Sequence, residues 1–146
     1  MLIVKQRRKA RIAALQFLFS LEFHPLEGEE ELKYFWKHNP NNKTARVYAE
    51  KIIKGVLNNK EQIDEIIKEA LEKWSLDRVG YIERVIVRIA TYEGGIEKCV
   101  SPKTAISEAI ELARMFGSED APKFVNGVLD RLFQSQGWLK KKEVKE

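Results

Sequence analysis

The sequence predicts an all-α protein, and three observations support this prediction. Apolar residues recur at helical spacing along nearly the whole chain, and no segment shows the alternating pattern of a half-buried strand. The 146 residues are 44% hydrophobic, enough to bury a core without disulfides or a structural metal. Proline, glycine and asparagine interrupt the apolar pattern at intervals. We therefore expect seven helices.

The first four helices are separated by turns rich in proline and asparagine. The expected ranges are about 5–23, 29–37 and 43–57, and a fourth helix has an apolar stripe from Ile63 to Trp74. Asn59 and Gln62 form a capping-box pattern at its start. Asp64 precedes Lys68 by four residues, which favours an ion pair on the outer face of the fourth helix.

The last three helices have clearer start and stop signals. Ser75 or Asp77 can cap a fifth helix that runs to about Glu93 and ends at Gly94-Gly95. Ser101-Pro102 opens a sixth helix that Gly117 closes, and the seventh runs from about Ser118 or Asp120 to Gln134. Gly127 lies inside the seventh helix at a cost of about 0.8–1.0 kcal/mol relative to alanine. We expect a close neighbour there, either another helix of this protein or a ligand backbone.

The composition argues against several classes of function. Cys99 is the single cysteine, which excludes an internal disulfide framework and indicates a reducing compartment, so we expect a cytoplasmic protein. His24 and His38 lack the spacing of metal ligands. The sequence has no phosphate-binding glycine loop, no secretory signal and no apolar stretch of 18 residues. We expect no enzyme, no metal, no cofactor and no membrane span.

A cluster of cations near the N-terminus is the strongest functional signal. The first 14 residues contain Lys5, Arg7, Arg8, Lys9 and Arg11 and no acid. Like charges at helical spacing repel one another, so a polyanion from outside the chain is expected to compensate them. The cluster therefore predicts nucleic-acid binding. The alternative is a solvated arm, or an arm paired with the acids of residues 22–31.

The first helix should hold this cluster rigidly. Apolar residues cover more than half of its circumference and leave a polar strip that includes Lys5 and Gln16. Phe19 and Phe23 flank the strip and can act as core residues or as stacking surfaces. A mostly buried helix presents its charges in a fixed geometry, which suits specific recognition.

Several strings of residues together resemble the NusB family of bacterial transcription antitermination factors. They are Arg7–Arg11 leading into 14–19, the segments 85–93 and 105–113, and the segment 116–130 with its Phe124-Val125-Asn126-Gly127-Val128-Leu129 core. The resemblance covers residues 1–146 as a single domain. It implies two small packed helical bundles, at about 1–74 and 75–138, followed by a charged tail at 139–146.

The resemblance also implies a function and its site residues. It implies binding of the boxA RNA element as a heterodimer with ribosomal protein S10, in complexes with RNA polymerase that suppress termination on ribosomal RNA operons. S10 contacts are implied at Phe19, Asp77 and Glu83. The expected RNA-binding residues are Lys5, Arg7, Arg8, Lys9, Arg11 and Gln16 on the first helix, and Asp120, Lys123, Phe124 and Asn126 on the seventh.

Two alternatives stay open at this point. One is the NusB-like module attached to ribosomal RNA methyltransferases, which we do not expect because no Rossmann-like segment follows before Glu146. The other is a helical adaptor that binds proteins and no RNA. An RNA binder would lose affinity linearly with the logarithm of the salt concentration, and an adaptor would not bind RNA.

Overall fold

Helices form most of the chain that the structure describes. The structure, a computed structural model, describes residues 2–24, 29–71 and 75–140. The helices are α1 (Leu2–Leu21), α2 (Glu29–His38), α3 (Lys43–Asn58), α4 (Lys60–Leu71), α5 (Tyr81–Thr91), α6 (Pro102–Phe116) and α7 (Ala121–Ser135). No strand occurs in these ranges, so the predicted all-α fold with seven helices is confirmed. None of the described helices is long and apolar enough to cross a membrane.

The contacts divide the chain into two compact units, Met1–Asn58 and Asn59–Glu146. The first unit contains α1 to α3 and the second contains α4 to α7. The sequence places this boundary near residue 74 instead. The structure differs because α4 packs on α5 and α7, where its residues Ile63, Ile67 and Leu71 are buried. Trp74 and most of the expected tail, residues 141–146, lie outside the described ranges.

In the first unit, α1 packs closely along α3. Small side chains occupy the buried positions of both helices, including Ala10 and Ala14 on α1 and Ala45 and Ala49 on α3. Small residues allow two helix backbones to approach each other. Asn42 caps α3, since the backbone N–H of Ala45 donates to its side-chain oxygen at 2.9 Å. The start of α3 is fixed in this way.

The entry to α5 differs from the sequence prediction. A single 3-10 turn, Leu76–Arg78, lies between Ser75 and the helix, and α5 begins only at Tyr81. Neither Ser75 nor Gly80 provides a side-chain cap. The Nη2 atom of Arg84 instead donates to the carbonyl oxygens of Leu76 at 3.0 Å and Val79 at 3.1 Å. The guanidinium thus ties α5 to the preceding turn through carbonyl oxygens, whereas a capping side chain would have accepted hydrogen bonds from backbone N–H groups.

The end of α5 also differs from the prediction. Gly94 and Gly95 do not end the helix but lie within a π-helical turn, Tyr92–Ile96. A Cβ atom on Gly94 would lie 2.6 Å from the Cβ of Ala105, and one on Gly95 would lie 2.2 Å from the Trp138 ring. The two glycines are therefore needed for close packing. Burial raises the pKa of Tyr92, and the Glu97 carboxylate adds to this rise.

The predicted cap of α6 is confirmed. The backbone N–H of Thr104 donates to the Ser101 hydroxyl oxygen at 3.2 Å, and Pro102 occupies the first turn. All the residues that form this cap lie within four positions of one another, so the local sequence determines it.

A buried ion pair joins α4 to α5. Arg88 donates from Nε to Oδ1 of Asp64 at 2.8 Å and from Nη2 to Oδ2 at 3.1 Å. The Arg88 side chain is only 7% exposed and that of Asp64 18%. The sequence pairs Asp64 with Lys68, but Lys68 contacts Glu65 at 3.5 Å instead. The planar guanidinium matches a carboxylate through two parallel hydrogen bonds, which a lysine cannot do.

Replacing Asp64 with alanine should lower the free energy of unfolding by about 3–5 kcal/mol, because the buried Arg88 guanidinium would lose the two hydrogen bonds and the charge of the Asp64 carboxylate. The double variant Asp64→Leu with Arg88→Met should recover most of this loss, since packed apolar groups can replace a buried ion pair. Urea unfolding monitored by circular dichroism measures both changes. A loss below about 1 kcal/mol for Asp64→Ala would show that the pair is not important for stability.

Candidate nucleic-acid interface

The N-terminal cations form an exposed set and a packed set. Lys5, Arg8 and Lys9 are exposed on one side of α1, whereas Arg7 is half-buried. Arg11 is only 3% exposed. The helix holds all five at fixed positions, but only the exposed set, with part of Arg7, faces solvent. The cluster is therefore not a uniform charged surface.

Tyr48 of α3 holds the packed set. The guanidinium carbon of Arg7 lies 5.0 Å from the centre of the Tyr48 ring, and that of Arg11 lies 5.9 Å from it. At such distances the electron-rich face of the ring attracts a cation. The sequence includes Arg11 among the RNA contacts, but the structure buries it at the contact between α1 and α3. Its observed role is in packing.

Along the exposed face of α1, the side chains change from cationic to polar and then to aromatic. Beyond the cations it carries the exposed Gln16 and then Phe19, which is half-buried. Phe23 follows with 53% of its surface exposed, and its ring meets that of Phe19 edge-on at a centroid distance of 5.2 Å. The polar strip predicted from the sequence is present, and an aromatic pair extends it.

In the second unit, the start of α7 presents the other expected RNA residues. Asp120, Lys123 and Asn126 are exposed, and Phe124 is half-buried. Asp120 occupies the N-cap position of α7, but its side chain makes no capping hydrogen bond. Its carboxylate is therefore not used to begin the helix. The sequence alone leaves this capping role open as an alternative to ligand binding.

Glu83 lies in a niche beside the start of α7. Its Oε1 atom accepts long hydrogen bonds from the Ser118 backbone N–H at 3.4 Å and the Ser118 hydroxyl at 3.5 Å. A Cβ on Gly80 would lie 2.3 Å from Oε2, and one on Gly117 would lie 3.2 Å from Oε1. The two glycines leave room for the carboxylate, which is half-buried.

A cavity of about 500 Å³ opens next to this niche. Glu83, Asp120, Phe124 and Arg78 are among its lining residues. The structure thus brings one expected S10 residue together with two expected RNA residues. Asp77, the neighbour of Arg78, is exposed on the 3-10 turn. The sequence does not indicate Arg78, which belongs to no motif, nor the hydrogen bond between Ser118 and Glu83, which are 35 positions apart.

Gly127 lacks the close helical neighbour expected in the described chain. A Cβ atom there would have only Nη1 of Arg131 nearby, at an ordinary contact distance of 3.8 Å. The expectation that another described helix packs tightly on this glycine is therefore wrong. Because Gly127 has no side chain, the outer surface of α7 has a shallow depression next to Asn126.

The NusB family model matches residues 8–134 of the chain, which include Arg8 and Lys9 of α1 and the start of α7. The chain belongs to the NusB family. This confirms the family predicted from the sequence. Two similar curated relatives are the transcription antitermination proteins NusB of Clostridium novyi and Thermotoga maritima. The first is 39% identical over 88% of this chain and 98% of its own length, and the second is 38% identical over 86% and 89%.

Solved structures of NusB proteins have the same fold. T. maritima NusB is 40% identical and superposes with a TM-score of 0.78 over 86% of this chain and 89% of its own. A NusB chain solved as part of the antitermination factors NusB and NusE in complex with dsRNA is 30% identical, with a TM-score of 0.81 over 90% and 98%. Membership of a family whose curated relatives are antitermination proteins agrees with the prediction of a non-enzymatic protein.

Replacing Arg11 with alanine should lower the free energy of unfolding by about 1–2 kcal/mol, because the variant loses a desolvated cation–π contact and the packing of the side-chain stem. The control is Lys9→Ala, which removes an exposed cation from the same helix and should change stability by less than about 0.5 kcal/mol. Denaturant unfolding of the two variants tests this difference. Equal losses would contradict a packing role for Arg11.

Proposed function

We propose that this chain is a transcription antitermination factor that binds boxA-type RNA together with ribosomal protein S10 and suppresses termination on ribosomal RNA operons. The observation that carries this proposal is the exposed basic face of α1, held rigidly by its packing on α3. The similarity to a NusB solved with NusE and dsRNA supports it, since NusE is ribosomal protein S10. The joint complex would act on RNA polymerase.

The α1 face has the properties that a phosphate backbone requires. Lys5, Arg8 and Lys9 each present a cation to solvent, and neutralising phosphates releases counterions from the RNA. Arg7, supported by Tyr48, adds a guanidinium in a fixed orientation. The sequence has no acid before Glu22, so RNA lying along α1 meets no repelling side chain of that helix. Gln16 offers an amide to a base edge further along the face.

The start of α7 would add contacts that distinguish RNA bases. Lys123 and Asn126 are exposed and offer a cation and an amide, while the half-buried ring of Phe124 lines the cavity beside Glu83. Unpaired RNA bases are commonly recognised by stacking on aromatic rings and by hydrogen bonds to their edges. The carboxylate of Asp120, which does not cap the helix, would accept hydrogen bonds from base amino groups.

S10 contacts are proposed at the carboxylates of Asp77 and Glu83 in the second unit and, separately, at the ring of Phe19 in the first. Asp77 is exposed on its turn, and Glu83 is held toward the cavity by weak hydrogen bonds that a partner can replace. Phe19 offers an apolar surface that is still partly exposed. Charged groups at such a surface mainly set the rate and the specificity of association.

Replacing both Arg8 and Lys9 with alanine should weaken RNA binding and reduce its salt dependence. For a single strand, the slope of log K against log salt should fall by about 0.7 for each phosphate that the variant no longer neutralises. The control is Lys33→Ala with Lys37→Ala, which removes two exposed cations from α2. Filter binding across a salt series, with and without S10, measures both slopes. An unchanged slope for the α1 variant would place the RNA elsewhere.

Reversing the charge of Glu83 with lysine should weaken S10 binding by at least about tenfold, because an attractive carboxylate is replaced by a repelling cation. RNA binding by the protein alone should not fall, since the variant gains a cation. The control is Glu69→Lys, an equivalent reversal on the exposed face of α4. Calorimetry with S10 and filter binding with RNA give the two affinities. Equal effects of the two reversals would refute the assignment of this surface to S10.

A further inference from the structure

An apolar recess lies between α1 and α3, and the half-buried Arg7 is part of its lining. Its volume is about 320 Å³, and its lining includes Ile3 and Arg7 of α1 and Thr44, Val47, Tyr48 and Lys51 of α3. We propose that this recess receives one base of the bound RNA strand, so that α3 forms part of the RNA interface. The inference rests on the proposed RNA-binding function and assigns a new subsite to it.

The apolar side chains of the recess are not explained by core packing. Ile3 is 68% exposed and Val47 is 59% exposed, although both are large aliphatic residues. The α3 residues of the lining follow the i, i+3, i+4, i+7 spacing of one helical stripe, next to the buried stripe that contains Ala45 and Ala49. Within this stripe, Val47 and the half-buried ring of Tyr48 place apolar surface beside the core-facing stripe, which indicates a surface that a ligand covers.

The charges around the recess favour RNA as the occupant. Arg7 and Lys51 line it, and no acid does so in the described chain. Between residues 43 and 54, α3 carries four cations and one acid, which gives a net charge of +3. An apolar protein segment would have to desolvate Arg7 and Lys51, whereas the phosphates on either side of a base would attract both cations.

The size and position of the recess point the same way. A volume of about 320 Å³ lies at the lower end of the range for small-ligand sites, which suits a single flat base better than a helix of a partner protein. The recess includes Arg7, the member of the N-terminal cluster that lies over Tyr48 of α3, so the recess adjoins the cluster through this residue. Base stacking tolerates any sequence, because every base has a flat face.

The main test fills the recess without changing any charge. Thr44→Phe places a ring where the base would lie, and Thr44 is exposed, so the fold should accept the change. Affinity for single-stranded RNA should fall about tenfold, the size expected when one base can no longer stack, while the salt slope stays the same. Ser107→Phe adds the same ring to the exposed face of α6 and should have no effect. Fluorescence anisotropy over a salt series measures both.

A second variant and a second RNA series make the test specific. Val47→Ser removes apolar surface without adding bulk and should also weaken binding at constant salt slope. The RNA series carries a single abasic nucleotide at a different position in each RNA. The wild-type protein should bind more weakly when the abasic nucleotide is at one particular position. The Thr44→Phe variant should show no such loss at that position. Circular dichroism confirms that each variant is folded.

The outcomes separate this inference from the function on which it rests. One outcome refutes the base subsite and leaves the proposed function standing. In that outcome the wild-type protein binds RNA, the Arg8 and Lys9 substitutions reduce the slope of log K against log salt, and both recess variants bind RNA as tightly as the wild type. If the recess variants weaken S10 binding and leave RNA binding unchanged, the recess is a protein contact and the inference is overturned. If wild-type protein binds no RNA with or without S10, both proposals fail.

Discussion

The basic surface of the first unit depends on the contact between the Tyr48 ring and two arginines. α1 must bury one face against α3 to be stable, yet its first three turns carry five cations, and Arg7 and Arg11 fall on the side that packs. Burying a cation without a partner is costly, and the face of an aromatic ring reduces this cost. With those two guanidiniums placed over Tyr48, α1 can pack against α3 while Lys5, Arg8 and Lys9 stay in solvent. The Tyr48 ring thus lets a helix that carries five cations pack against α3.

In the second unit, one cavity is lined both by a residue proposed to contact S10 and by residues proposed to contact RNA. Glu83, proposed to contact S10, lines the same space as Asp120 and Phe124, proposed to contact RNA. The hydrogen bonds from Ser118 to Glu83 link α5 directly to the turn that precedes α7. A ligand that displaces Glu83 therefore changes the surroundings of the other two residues. Such a shared site makes the two affinities interdependent, and the dependence has to be equal in both directions.

Local signals in the sequence were sufficient for much of the fold, and the failures involve distant partners. The Ser101-Pro102 cap is determined within four residues and is where the sequence predicts it. The partner of Asp64 is Arg88, 24 positions away, whereas the local i,i+4 rule pairs this carboxylate with Lys68. Gly94-Gly95 has the composition of a helix stop, and only the positions of Ala105 and Trp138 show why glycine is needed. The exposed cations followed from charge alone, whereas Tyr48 and Arg78 belong to no motif.

The packing of Trp138 against Gly95 has a consequence for the order in which the protein can fold during synthesis. Contacts within the first unit involve residues up to Asn58, so they can form as soon as that segment has left the ribosome. The π-helical turn after α5 cannot complete its packing until residue 138 has emerged, because the tryptophan ring covers Gly95 and meets Phe133 edge-on at 5.6 Å. A growing chain can therefore assemble its basic helix pair first, and for the next stretch of translation it carries the exposed cations of α1 without a finished second unit.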